Sequence, residues 1–156
     1  MMWMHVGKCV LALVLICAGC RRAPREVAVK PLQLEREGLE LAGDLYIPAD
    51  RQANDALLLL HGSCRQGRRL ALYPALARRW AEQGYLVWNL DQRAYGQSDD
   101  PPAVESAADL DFVGDARAAL EKLSRIGHEY GVEKIFCVGH SFGGGVAVAA
   151  GLTSSP

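Results

Sequence analysis

This sequence predicts an α/β fold, a mostly parallel sheet with helices on both faces, and three observations carry that prediction. Short apolar runs recur at residues 56–60, 85–90 and 134–138, each bounded by polar residues or glycine. Strands buried on both faces, as parallel strands are, have this pattern. A helical pattern follows each run, so strand and helix alternate. An alternating segment precedes them and reads as an antiparallel opening to the sheet. A chain of 156 residues, 50% of them apolar, suits one domain with one core.

The first 19 residues are of another kind. Met1 to Lys8 is short and mildly basic, Cys9 to Ala18 is unbroken apolar sequence, and Ala18-Gly19 puts small residues before Cys20. The apolar run, roughly ten residues, is too short to cross a hydrocarbon core about 30 Å thick as a helix. The segment resembles a bacterial lipoprotein signal. That implies cleavage before Cys20, lipidation of Cys20, export and membrane anchoring. Cys17 departs from the motif, which most often has leucine there. Arg21, in place of an acidic residue, leans the expected destination to the outer membrane by analogy with Gram-negative sorting. The plainer rival is a secretory signal without lipid. Residues 20–31 are polar, contain two prolines and read as a tether. The domain is expected over 32–156.

In the domain, Leu32, Leu34 and Arg36 alternate with polar neighbours, Glu37-Gly38 makes a turn, and Leu39 to Ile47 runs on to Pro48. The pattern predicts a hairpin with a proline stop. After the first apolar run, Pro74 suits a first helical turn, Leu72, Leu76 and Trp80 share a face, and Gly84 stops the helix. A helix over about 109–130 follows the second run, with Val113, Ala116, Leu120 and Leu123 as its buried stripe and Gly131 as its end. An apolar helix follows Gly139–Gly145.

The net charge of −1 and the lack of a basic stripe with interleaved aromatics argue against nucleic acid as a partner. The one CxxC, Cys17 to Cys20, falls in the signal-like segment, and there is no HExxH, so no metal-ligand spacing is legible in the domain. Cys9 and Cys17 would leave with the signal. Cys64 and Cys137 remain, and whether they pair stays open, although Cys137 reads as a small core residue.

Gly139-His140-Ser141-Phe142-Gly143 fits G-x-S-x-G. The pattern alone is weak. Its position, directly after an apolar strand and directly before a helix, is what a nucleophile elbow requires. The glycines would keep side chains out of the close strand and helix, and the helix N-terminus would favour developing negative charge. A capping serine in a turn is the bland alternative. Gly143-Gly144-Gly145 lacks the lysine of a phosphate-binding loop, so packing explains it better.

Three blocks in order make the chain resemble the α/β-hydrolase superfamily, near its esterase, lysophospholipase and peptidase-like members. Leu57-Leu58-Leu59-Leu60-His61-Gly62 is similar to the strand that ends in His-Gly before the oxyanion loop. Asp91-Gln92-Arg93-Ala94-Tyr95-Gly96-Gln97-Ser98 is similar to a D-x-R-G-x-G-x-S loop, with Ala94 in place of glycine. Gly139 to Gly143 is the elbow. The resemblance implies Ser141 as nucleophile and the Phe142 amide as one oxyanion donor. The second donor would be Ser63, or Cys64 if the loop is shifted. His61 and Gly62 would support that loop. His140 should point away from Ser141, His128 should lie at the surface, and Asp91 should tie down its own loop. No metal or organic cofactor is implied. The substrate would be a small ester or a peptide.

A serine hydroxyl needs a base, and the base an orienting acid, in the order Ser, Asp or Glu, His in this fold. No Asp, Glu or His follows Ser141. The sequence therefore reads as a hydrolase cut after its elbow, inactive and poorly soluble alone, with an exposed apolar strand edge. Two rivals stand beside that reading: a non-catalytic membrane-anchored binding lipoprotein, and an active chain that improvises with Asp91 and His61 or His128.

Overall fold

The computed structural model describes residues 26–50, 52–102, 106 and 109–152. The expected signal, Cys20 and the start of the tether lie outside the described residues. The strands are β1 (Val27–Pro31), β2 (Leu34–Arg36), β3 (Leu39–Leu41), β4 (Gly43–Pro48), β5 (Ala56–Leu60), β6 (Leu86–Leu90) and β7 (Ile135–Gly139). The helices are α1 (Leu72–Glu82), α2 (Phe112–Gly127) and α3 (Phe142–Leu152). Among the described residues, no helix is long and apolar enough to cross a membrane.

Five strands form the main sheet in the order β1-β4-β6-β5-β7. β5 pairs in parallel with β6 and β7, while β4 runs antiparallel to both β1 and β6. The period-2 alternation of β5 divides the core in two. Ala56, Leu58 and Leu60 face the side covered by α2 and α3, and Leu57 and Leu59 face α1. β6 follows the same rule with Leu86, Trp88 and Leu90 opposite Val87. Each such leucine, fully covered, contributes about 1.5–3 kcal/mol from burial.

The structure corrects the sequence reading at four places. Val27–Pro31, expected as tether, is an edge strand that pairs with β4 from Val27↔Pro48 to Pro31↔Asp44. Its side chains are largely exposed, so no hydrophobic period marks it, and the backbone ladder alone makes it a strand. The expected single hairpin over 32–48 is split. Glu37 and Gly38, at φ 55° and 76°, turn β2 into β3, and β4 then leaves for the main sheet. Two successive positive φ values are those of a type I′ turn.

On α1 the buried face is Tyr73, Ala77 and Ala81, one position on from the expected Leu72, Leu76 and Trp80. Leu72 is 45% exposed, and Leu76 and Trp80 are only partly covered. The small alanines let the helix axis lie close to the sheet, and the large residues flank the contact. Periodicity cannot separate two stripes that lie one residue apart. α2 is shorter than expected because Asp111 caps it, its Oδ1 accepting the Gly114 N–H at 2.8 Å. A short 3-10 turn over His128–Tyr130 and Gly131 at φ 74° close it.

Ala94 lies at φ 64°, where a β-carbon is strained. Ala94→Gly is expected to raise the melting temperature by about 2–4 °C in thermal unfolding followed by circular dichroism, through roughly 0.5–1 kcal/mol. The gain is strain relief less the extra chain entropy of glycine.

Candidate active site

Three loops meet because three strands end in register. Leu60 is opposite Leu90 on one side and Gly139 on the other. The chain beyond β5 is therefore His61-Gly62-Ser63, beyond β6 it is Asp91-Gln92, and beyond β7 it is His140-Ser141. The His140 N–H extends the ladder to Leu60 O at 3.1 Å.

Ser141 is exposed and sits at φ 53° between the last strand residue and the first helical residue. A non-glycine residue at that φ is strained, and such strain clusters at functional sites. The flanking glycines are required by their neighbours. A β-carbon on Gly139 would lie 2.0 Å from Gly143 O, and one on Gly143 would lie 2.5 Å from His61 O and 2.6 Å from Leu60 O. All these neighbours are backbone and cannot step aside. Gly143→Ala is expected to cost about 2–3 kcal/mol in urea unfolding, the upper range for overpacking. By contrast, a β-carbon on Gly145 would meet nothing within 4 Å. Gly145 instead lines an open cavity of about 520 Å³ with the apolar Leu110, Phe112, Val113, Phe142 and Val146 and the acidic Asp109 and Asp111.

Gly62 faces the elbow, for its β-carbon would lie 3.3 Å from Ser141 Cβ. The loop around it is held on every side. His61 is fully buried, and its Nδ1 lies 2.7 Å from Gly62 O while its Nε2 accepts the Gln92 N–H at 3.1 Å. These partners specify the tautomer: Nδ1 carries the proton. Burial lowers the His61 pKa, and its bond to Gly62 and the charge of Asp91 only partly oppose that. Asp91 Oδ1 comes within 3.7 Å of Nε2, but a nitrogen that accepts a hydrogen bond bears no proton, so this is no ion pair. Gln92 Nε2 adds a bond to His61 O at 2.8 Å. Ser63 Oγ is 2.9 Å from the Tyr95 hydroxyl, and the Tyr95 ring meets the His61 ring edge-on at 5.3 Å.

Asp91 is a buttress. Its carboxylate accepts the Arg68 N–H at 2.5 Å and the Gln97 N–H at 2.8 Å, and it pairs with the Arg68 guanidinium. Arg68 is 6% exposed and also reaches Asp44 and Gln97. Gly67 and Gly96, both at positive φ, crowd the carboxylate so closely that a β-carbon on either would lie 2.1–2.2 Å from it. Ser98 Oγ closes the loop, donating to Asp91 O and accepting the Ala42 N–H. Arg93 grips buried Asp115 on α2 through two bonds of 2.6 Å and reaches Glu37 of the hairpin turn at 3.1 Å. These bonds raise the Arg93 pKa well above its ordinary value.

The residues singled out in sequence thus gather at one sheet edge: His61, Gly62 and Ser63 on one loop, Gly139 to Gly143 on the next. His140 turns its Nδ1 to the Tyr73 hydroxyl at 3.0 Å. His128 is exposed at the end of α2. With His61 and Asp91 both committed to the loops, the improvised triad finds no support in the geometry. Cys64 and Cys137 are free thiols, and burial pushes Cys137 up to about 11. Sequence reasoning missed Tyr73, Arg68, Gln92 and Tyr95. Tyr73 had a signal, the i, i+4, i+8 series with Ala77 and Ala81. Gln92 and Tyr95 stand in the Asp91 block with no role assigned to them, and Arg68 had no signal.

Comparisons with known proteins agree with this arrangement. Residues 51–156 match the family model Hydrolase_4, described as serine aminopeptidase, S33. Epoxide hydrolase 3 of Siraitia grosvenorii is 35% identical over 98 residues, which is 58% of this chain and 26% of that protein. An esterase of Pyrococcus furiosus superposes with a TM-score of 0.64 at 22% identity, over 79% of this chain and 44% of the esterase. An epoxide hydrolase from Vigna radiata gives 0.62 at 21% identity, over 81% of this chain and 35% of its own. The chain spans less than half the length of each of these proteins. The family match covers most of the chain and includes both the His61-Gly62 loop and the Ser141 elbow, and the chain belongs to the Hydrolase_4 (serine aminopeptidase, S33) family of α/β-hydrolase fold.

Proposed function

We propose that this chain carries the nucleophile and oxyanion hole of a serine hydrolase that cleaves small esters, or peptides, through an acyl-enzyme on Ser141. The observation that carries the proposal is the elbow itself: an exposed serine at φ 53°, between glycines that nothing larger could replace, set against Gly62 of the loop after β5. Ser141 Oγ attacks the acyl carbon and forms the O–C bond as the carbonyl electron pair moves to oxygen. The amides of Phe142 and Ser63 donate to that oxygen. Two such preorganised donors are worth several kcal/mol in the transition state. Collapse expels the alcohol or amine, and water then attacks the acyl-enzyme to release the acid. A general base takes the Oγ proton and returns it to the leaving group. It is not one of the two imidazoles at the sheet edge, since both are engaged with the loops.

The cavity beside Phe142 has an apolar wall of Leu110, Phe112, Val113 and Val146 that suits an acyl or alkyl group, and Asp109 and Asp111 at its rim make it a poor place for an anion. The same proposal places the protein on a membrane through lipidated Cys20, with residues 21–26 as spacer.

The test uses the native protein extracted from cell membranes. A fluorophosphonate probe should lose fluoride and form an Oγ–P bond, and the adduct should map by peptide mass to Ser141. A folded native protein that leaves the probe intact would sink the catalytic reading and turn attention to binding. The N-terminal peptide mass of the same sample checks for acylated Cys20.

A further inference from the structure

Gly62 lies in the loop beside Ser141, and both of its backbone polar groups are pinned. Its C=O accepts from His61 Nδ1 at 2.7 Å, and its N–H donates to the Tyr73 hydroxyl at 2.8 Å. Tyr73 belongs to α1, is 1% exposed, and reaches His140 Nδ1 at 3.0 Å with the same hydroxyl. Since the Gly62 amide can only donate, the phenol oxygen accepts there and its own proton is free for Nδ1. One buried phenol therefore joins the loop after β5 to the elbow after β7.

We infer that Tyr73 is a positioning residue: its hydroxyl fixes Gly62 relative to the Ser141 elbow and so aims the Ser63 amide at the reacting oxygen. The inference rests on the proposed acyl-transfer reading. Across the trans peptide, the Ser63 N–H points opposite to the Gly62 C=O. Holding Gly62 at both its N–H and its C=O thus sets the direction of that donor. Tyr73 itself is covered and touches no substrate. A phenylalanine would fill the same volume but leave the Gly62 amide buried without its partner.

The experiment compares Tyr73→Phe with the native full-length protein. Turnover of p-nitrophenyl acetate should fall in kcat by roughly ten- to a hundredfold, with KM within about twofold, as a misaimed donor costs rate rather than binding. The Gly62 amide should lose protection from hydrogen exchange. The nitrogen-15 resonance of His140 Nδ1 should lose the signature of an acceptor. His140→Leu, at an exposed position, removes only the elbow leg and should lower kcat less while Gly62 stays protected. An unchanged kcat in Tyr73→Phe, or a Gly62 amide as protected as before, would overturn the inference. If the native protein hydrolyses no ester and takes no probe, the proposed function fails, and the exchange and nitrogen measurements still decide whether Tyr73 holds the loop.

Discussion

Ser141→Ala is expected to lower ester turnover by about 10⁴-fold or more, and Ser141→Gly to do the same while raising the melting temperature by about 2–4 °C. Both remove the oxygen proposed to attack. Only glycine also removes the β-carbon that sits at φ 53°. That conformation costs an L-residue roughly 1–2 kcal/mol, of which the extra unfolded entropy of glycine takes back roughly 0.5–1. Stability and activity therefore oppose each other at this residue, as they do where strain is kept for function. Ala94→Gly is the control. It relieves strain of the same kind at φ 64° and should leave turnover unchanged. Steady-state kinetics and thermal unfolding of the three variants check the set. A Ser141→Gly protein less stable than Ser141→Ala would show that the elbow is not strained.

Asp91→Ala is expected to destabilise the fold by about 3 kcal/mol, because it leaves the buried Arg68 guanidinium with only the part-exposed carboxylate of Asp44 as counter-charge. Arg68 is enclosed, and its N–H and guanidinium both bond the Asp91 carboxylate, which also holds the Gln97 amide. Asp91→Asn keeps the shape but sets an amide beside the cation, so most of the loss should remain. Replacing both partners, Asp91→Leu with Arg68→Met, should recover only part of it: an apolar pair avoids the charge-desolvation penalty, but the Arg68 and Gln97 amides lose their acceptor. Urea unfolding midpoints decide between these outcomes. If Asp91→Ala unfolds at the wild-type midpoint, the buried pair is not what joins the loop after β5 to the loop after β6.

Much of this was legible in the residues themselves, for local reasons. Leu57 to Leu60 reads as a buried strand because apolar side chains fill both faces. The Asp91 block and Gly139-His140-Ser141-Phe142-Gly143 read as loops at strand ends because glycines mark backbone that packs too closely for a β-carbon. The placement of His61 as a loop support followed from the resemblance, and its two hydrogen bonds supply the reason.

Other elements had no local signal. Val27–Pro31 reads as polar tether because an edge strand with exposed side chains is made by its backbone partner, β4. The buried face of α1 depended on how near the helix comes to the sheet, and the stripe of Tyr73, Ala77 and Ala81 won over that of Leu72, Leu76 and Trp80.

By itself, then, the sequence determined the alternation of strands and helices and the steric need for glycine around Ser141. Those depend on side-chain period and on neighbours a few positions away. Only the tertiary structure decided that Tyr73 would meet His140, 67 residues on, and that Arg68 would meet Asp91, 23 residues on. Such pairs arise when the β5, β6 and β7 ends align, and no pattern along the chain records which loops that alignment makes neighbours.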